Sequence, residues 1–223
     1  MDDLSVGGDD LVGALRQLRV INRLLGAAGP TVEGVEALWR AAGRPAALSI
    51  VDVGAGSGDL NRPLLAWAER RRVELGITLV DIQPETCNEA AAYFAAEPRV
   101  RVWCGDVFDL EADSADIVTA ALFTHHVPAA QLPALYRAML RAARLGIVVN
   151  DLHRHVVAWA FIAAATQILS RNRMIRHDAP LSVRRGFRAG DLEALQMCPD
   201  LAGLRFAWRP LFRYLVIVPK AAR

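Results

Sequence analysis

Near the start of the chain, Leu11, Leu15, Leu18, Ile21 and Leu25 recur at helical spacing. They predict an amphipathic helix over 10–25, which Asp9 or Asp10 can cap and Gly26 can end. A second, shorter helix is predicted over 32–42. From Leu48 the pattern changes. The runs LSIVDV, GITLVDI, VRVWC, ADIVTAAL and LGIVVND are short and rich in β-branched residues, as buried strands are. Ala-rich helical stretches at 60–72, 85–96 and 130–143 separate them. Strand–helix alternation implies a parallel sheet with helices on both faces. The last two strand-like runs, 204–208 and 212–218, meet around Pro210, too close for a helical crossover. They are expected to pair antiparallel at a sheet edge.

Composition narrows the class. The 223 residues are 53% hydrophobic, enough for a sizeable single core, and the net charge is only +2. Nothing global points to a nucleic-acid partner. Lys220 is the only lysine, a bias better ascribed to a GC-rich genome than to function. Cys87, Cys104 and Cys198 are scattered, without metal-ligand spacing, and read as reduced thiols of a cytoplasmic protein. No metal site is expected. The acidic, polar opening MDDLSVGGDD is no signal peptide. The most apolar run, 156–169, falls short of the roughly 18 residues a membrane span needs and contains Gln167, so it reads as a buried or substrate-facing helix.

The strongest chemical signal is the segment VDVGAGSGDL at 51–60. An apolar strand runs into Gly54, Gly56 and Gly58, and a helix follows. Glycines let the backbone turn sharply and approach a ligand closely, and a helix start offers free N–H groups. A dinucleotide fold wants G-x-G-x-x-G, but here the third glycine comes one residue early. A glycine-rich turn without a ligand is the plain alternative. Asp81 ends the second strand, where a carboxylate can accept hydrogen bonds from vicinal ribose hydroxyls. It can equally cap the helix announced by Pro84 and Glu85. Gly105-Asp106-Val107 follows the third strand and also suits an ordinary turn.

In this register the D-x-G-x-G-x-G segment, Asp81 and Gly105-Asp106-Val107 resemble the motifs of class I S-adenosylmethionine-dependent methyltransferases, especially the small-molecule and ubiquinone-biosynthesis-like branch. The resemblance spans about 48–218. It implies a Rossmann-like, doubly wound sheet of seven mostly parallel strands with a C-terminal antiparallel hairpin. An N-terminal helical cap over 1–45 would precede a methyltransferase domain over 46–223. It further implies that Gly54, Ala55 and Gly56 hold the methionine part of S-adenosylmethionine and that Asp52 helps hold the loop and the cofactor's amino group. Asp81 would take the ribose, Ile82 would pack on the adenine, and Asp106 and Val107 would meet the adenine edge. Leu122 and His126 would sit beside the cofactor. Relatives often carry Pro-Gly-Gly before the fifth strand, where this chain has Ala143-Arg-Leu-Gly146.

Within Leu122-Phe-Thr-His125-His126 the resemblance places His125 at the variable position facing the transferred methyl. An imidazole titrates near neutral pH, so His125 can accept a proton from a hydroxyl or an acidic carbon. Alternatively both histidines only shape the pocket. Asn150, Asp151 and His153 end the fifth strand and border the crevice. Asp151 and His153 are candidates for catalysis or for capping the next helix. The segment 153–190 is longer than a simple crossover. It holds an apolar helix with Trp159 and Phe161, and six arginines between Arg171 and Arg188. It reads either as a lid with an apolar wall and basic groups or as a packed helix with a solvated basic loop.

A lid of that kind suits an aromatic or polyketide-like acceptor, carrying a carboxylate or borne on an acyl carrier. The leading reading is therefore methyl transfer to oxygen, or to activated carbon, of a small molecule. A catalytically silent cofactor-binding subunit and a nicotinamide-dependent oxidoreductase are the alternatives, the latter disfavoured by the glycine spacing. The pattern points to no particular oligomeric state.

Overall fold

The computed structural model describes residues 9–170 and 172–220. The expected cap by Asp9 or Asp10, and Arg171, lie outside the described residues and side chains. Two helices open the chain, α1 (Asp9–Leu24) and α2 (Gly29–Ala41). Strands and helices then alternate: β1 (Ala47–Val53), α3 (Arg62–Arg71), β2 (Glu74–Asp81), α4 (Pro84–Tyr93), β3 (Val100–Cys104), β4 (Ala115–Ala121), α5 (Leu132–Ala142) and β5 (Ala143–Leu152). Three helices follow, α6 (Val156–Leu169), α7 (Arg173–Arg185) and α8 (Ala189–Gln196), and then β6 (Arg205–Arg209) and β7 (Arg213–Pro219).

The seven strands form one sheet in the order β3-β2-β1-β4-β5-β7-β6. β1 to β5 are parallel, whereas β7 runs antiparallel to both β5 and β6. The expected seven-stranded sheet with a C-terminal hairpin is thus the observed one. Side chains alternate between two cores, as strand pleating requires. Val51 and Val53 of β1 join the core that α5 and α8 cover, and Leu48 and Ile50 join the one that α2, α3 and α4 cover.

The first two helices part company. Helix α2 lies on β5 and β7, where a Cβ on Gly34 would come within 2.5 Å of Val148 Cγ1. Only glycine permits so close an approach. Helix α1 instead crosses the C-terminal edge of the sheet. It contacts the 3-10 turn Asp59–Asn61, α4 and α7. Asn22 Nδ2 donates to Asp59 Oδ2 at 3.2 Å, Arg19 pairs with Glu89, and Ser170 Oγ donates to Gln17 Oε1 at 2.8 Å.

Two expectations for 153–190 are corrected. The basic stretch is no loop but helix α7, whose cap Asn172 accepts N–H bonds from Met174 and Ile175 and whose buried face carries Ile175 and Val183. Helix α6 is not buried as a whole: Ala158 and Thr166 face inward, while Val156, Val157, Phe161 and Ile168 are exposed. No helix among the described residues is long and apolar enough to cross a membrane.

Candidate active site

The parallel strands bring their C-terminal ends to one edge of the sheet, and the site residues expected from the sequence lie along that edge. Between the neighbours β1 and β4 the chain's connections diverge to opposite sides, the position where open α/β sheets bind ligands.

β1 ends in the turn 54–58, where Gly54, Gly56 and Gly58 have φ of +62°, +57° and +72°. Side chains strain such a backbone, but the surroundings of the three differ. A Cβ on Gly54 would lie 2.2 Å from the Phe123 ring, and one on Gly58 would lie 2.3 Å from Leu79 Cδ1. A Cβ on Gly56 would meet no protein atom within 4 Å. Gly54 and Gly58 therefore make room for the protein's own packing, and Gly56 faces open space. Ala55 fastens the loop to β2, its N–H donating to Val80 O at 3.1 Å.

Asp52 lies beneath this loop, 3% exposed. Thr119 Oγ1 donates to one carboxylate oxygen and Asn61 Nδ2 to the other, each at 2.6 Å. Asn61 also reaches Gly58 O at 3.3 Å. Asp52 thus ties β1, β4 and the entry to α3 together, and it is enclosed: its contacts are with the loop rather than with a ligand-facing surface. Burial raises it to about 6, against the pull of these hydrogen bonds.

Asp81 faces the loop from the end of β2. Its Oδ2 accepts the Gly56 N–H and its Oδ1 the Gln83 N–H, each at 3.0 Å. The cap position of α4 belongs to Gln83, which makes no side-chain cap, so Asp81 is not the helix cap. Burial raises the Asp81 carboxyl, opposed by the N–H groups of Gln83 and Gly56. Each oxygen keeps a lone pair for a further donor. Beside it Ile82 is 54% exposed. Asp106, half-buried, accepts the Phe108 N–H at 3.0 Å, and Val107 is buried. The open face of Gly56, the carboxylate of Asp81 and the exposed Ile82 make a continuous cradle. Its glycine turn, carboxylate and apolar side chain are chemically suited to S-adenosylmethionine.

Beyond β4, Leu122 has φ +54° and donates its N–H to Asn150 O at 2.8 Å. The 3-10 turn Thr124–His126 follows and brings His125 to Asp151 of β5. His125 Nδ1 lies 2.6 Å from Asp151 Oδ1, with both side chains 2% exposed. Asp151 Oδ2 also accepts Thr124 Oγ1 at 2.7 Å and the His125 N–H at 3.1 Å. Burial works to raise Asp151, but the facing His125 and the hydrogen bonds prevail and hold it below the usual carboxylate range. A carboxylate only accepts, so His125 Nδ1 carries a proton, and in the neutral ring the lone pair then falls on Nε2. His125 Nε2 is buried with no hydrogen-bond partner among the described residues. The His126 ring sits 4.1 Å from that of His125, and burial, then His125, lower His126 to about 4.

His153 does not join this pair. Its ring packs with Tyr214 at 5.0 Å and His155 at 5.4 Å, and burial, then His155, lower its pKa. Neither Asp151 nor His153 caps α6; His155 does, accepting the Val157 N–H. Asn150 faces away from the crevice and donates to Ala27 O at 2.7 Å and Thr31 Oγ1 at 3.0 Å.

Sequence reading missed Thr119, Asn61 and Thr124, which hold the two buried aspartates, and Arg213. Arg213 is buried, donates to Leu25 O at 3.3 Å, and has its pKa lowered by burial against the charge of Asp151. Helix α7 rests on the Thr124–His126 turn, so α1 and α7 roof the site. Among the described residues no group of three His, Cys, Asp or Glu side chains is placed to hold a metal ion.

Residues 50–146 match a family model described as a methyltransferase domain. A search of curated proteins found no match. Solved structures are similar in fold. A S-adenosylmethionine-dependent methyltransferase from Aquifex aeolicus is 14% identical, with TM-score 0.62 over 94% of this chain and 98% of that one. Human N-acetylserotonin methyltransferase, solved with S-adenosylmethionine, is 16% identical, with TM-score 0.64 over 95% and 56%. The CMeT domain of citrinin polyketide synthase is 16% identical, with TM-score 0.59 over 79% and 47%. The chain thus spans about half the length of the last two. Residues 50–146 thus resemble a methyltransferase domain, and the fold is the one that S-adenosylmethionine-dependent methyltransferases adopt.

Two outcomes follow from the loop and its support. Gly56→Val places a side chain in the open cradle, so binding of S-adenosylhomocysteine by calorimetry should be lost. The strained backbone should cost only about 1–2 kcal/mol of stability; undiminished binding would contradict the cradle. Asp52, raised when folded, holds its proton more tightly than in the unfolded chain, where it titrates near 3.8. Protonation therefore stabilises the fold as pH falls through about 6, by about 1.3 kcal/mol between pH 7 and pH 5, with the full gain of about 3 kcal/mol reached only below the unfolded value. Urea unfolding should show the wild type gaining stability relative to Asp52→Asn over that window. Parallel pH profiles would contradict this.

Proposed function

We propose that the protein transfers the methyl group of S-adenosylmethionine to a hydroxyl, or an activated carbon, of a small aromatic or polyketide-like molecule, with His125 as the general base. The observation that carries this reading is the His125–Asp151 pair. Asp151 holds the imidazole by Nδ1, and its other nitrogen is buried and unspent. In the neutral ring that nitrogen is the basic one. The pair adjoins the cradle, because Phe123, two residues before His125, packs on Gly54.

S-adenosylmethionine supplies an electrophilic methyl on a sulfonium. The chain's part is to align and to take a proton. In this reading the turn at Gly54–Gly56 holds the methionine part, Asp81 the ribose hydroxyls, and Ile82, Asp106 and Val107 the adenine. The His126 ring, kept neutral, walls the site without placing a second positive charge beside the sulfonium. The likeness in fold to an enzyme named for N-acetylserotonin and to a polyketide synthase domain supports a small acceptor. Whether the acceptor is free or borne on an acyl carrier belongs to the same proposal.

The test begins with methyl-labelled S-adenosylmethionine and a panel of phenols, hydroxy acids and 1,3-diketones. Transfer to one class is expected; cofactor binding with no transfer to any of them would favour the silent-subunit reading. With an acceptor in hand, His125→Ala should lower kcat by about a hundredfold to ten-thousandfold and leave S-adenosylhomocysteine affinity nearly unchanged. The loss should shrink as pH rises and the hydroxyl ionises unaided. Unaltered turnover at neutral pH would remove His125 as the base.

A further inference from the structure

We propose that α6 and the arginines beside it dock the protein on the surface of an anionic lipid bilayer, with the helix lying in the interface. Helix α6, VVAWAFIAAATQIL, contains no charged residue. Val157, Phe161, Ala164 and Ile168 follow one another at helical spacing and all are exposed, Phe161 by 63% and Ile168 by 80%. Val156, 72% exposed, widens this stripe. Isolated apolar residues are ordinary on a surface, but a continuous apolar helix face marks an interaction site. At about 21 Å long by helical rise, α6 is too short to span a bilayer but suits an interfacial position.

The charges around the stripe choose the occupant. At the N-terminal end of α6 a cleft of about 600 Å³ is lined by Arg154, Val156, Trp159, Arg184 and Arg188 among others. Arg154 is paired with Asp191. Arg184 and Arg188 are exposed and make no ion pair among the described residues. At the other end Arg176 donates to Ser170 O at 2.6 Å and Gln167 O at 2.9 Å, which places a cation at the C-terminus of α6. An apolar face flanked by arginines, with an indole at its border, matches a layer of acyl chains beneath anionic headgroups. A second copy matches less well. A two-fold contact across α6 would set these arginines against their own copies, and α6 has no acidic residue to separate them.

Flotation of the full chain with vesicles of phosphatidylcholine alone, and of phosphatidylcholine with phosphatidylglycerol, tests this. Binding is expected only to the phosphatidylglycerol vesicles and should fall as salt rises. Val157→Glu with Ile168→Glu should weaken it by at least about tenfold. Arg184→Glu with Arg188→Glu should weaken it by a similar factor. Both double variants should bind S-adenosylhomocysteine as the wild type does, which verifies that they are folded. Failure to float with phosphatidylglycerol vesicles would overturn the proposal, as would flotation indifferent to the α6 substitutions. A concentration-dependent dimer that Val157→Glu with Ile168→Glu dissolves would also overturn it and assign the face to a second copy.

Discussion

The arrangement of the site turns on the enclosure of Asp151. Its carboxylate accepts bonds from Thr124 Oγ1, from the backbone and the ring of His125, and from the N–H of Leu152. A buried ion with so many donors is satisfied where an isolated one would be costly. Breaking the set by removing one donor would leave a charge in the core. The turn after β4 is therefore fixed to the end of β5. From that turn Phe123 reaches Gly54, and α7 has a surface to rest on.

A second buried carboxylate, Asp52, does the corresponding work on the other side of the crevice. The two behave oppositely. Asp151 is held low because His125 faces it, and Asp52 is pushed up because burial outweighs the hydrogen bonds of neutral Thr119 and Asn61. The loop is thus supported at some cost to stability near neutral pH. That trade is characteristic of sites shaped for a ligand rather than for the resting fold.

What could be read from the sequence was what is local. The glycine spacing and the strand ends are short-range signals, so β1 to β5, the C-terminal hairpin and the positions of Asp81 and Asp106 were legible. The His125–Asp151 bond was not, because 26 residues separate the partners and only the pairing of β4 with β5 joins them. Asn61 looks like any polar residue at a helix start until it is seen reaching back to Asp52. Helix α7 was obscured by arginines surrounding a sparse apolar stripe of Ile175 and Val183. Helix α6 misled in the other direction: uniform apolarity suggests burial, but half of it faces outward. Cys87 and Cys104 are scattered in sequence, yet both thiols come to the end of β2, on the carbonyls of Asp81 and Ile82.

The central claim is that Asp151 fixes the tautomer of His125 and leaves Nε2 as an acceptor inside the site. Nitrogen-15 NMR of histidine-labelled protein, recorded where the His125 ring is neutral, reads this directly. The account predicts a His125 ring protonated at Nδ1 and bare at Nε2, with that pattern lost in Asp151→Asn. A His125 protonated at Nε2 in the wild type would contradict it.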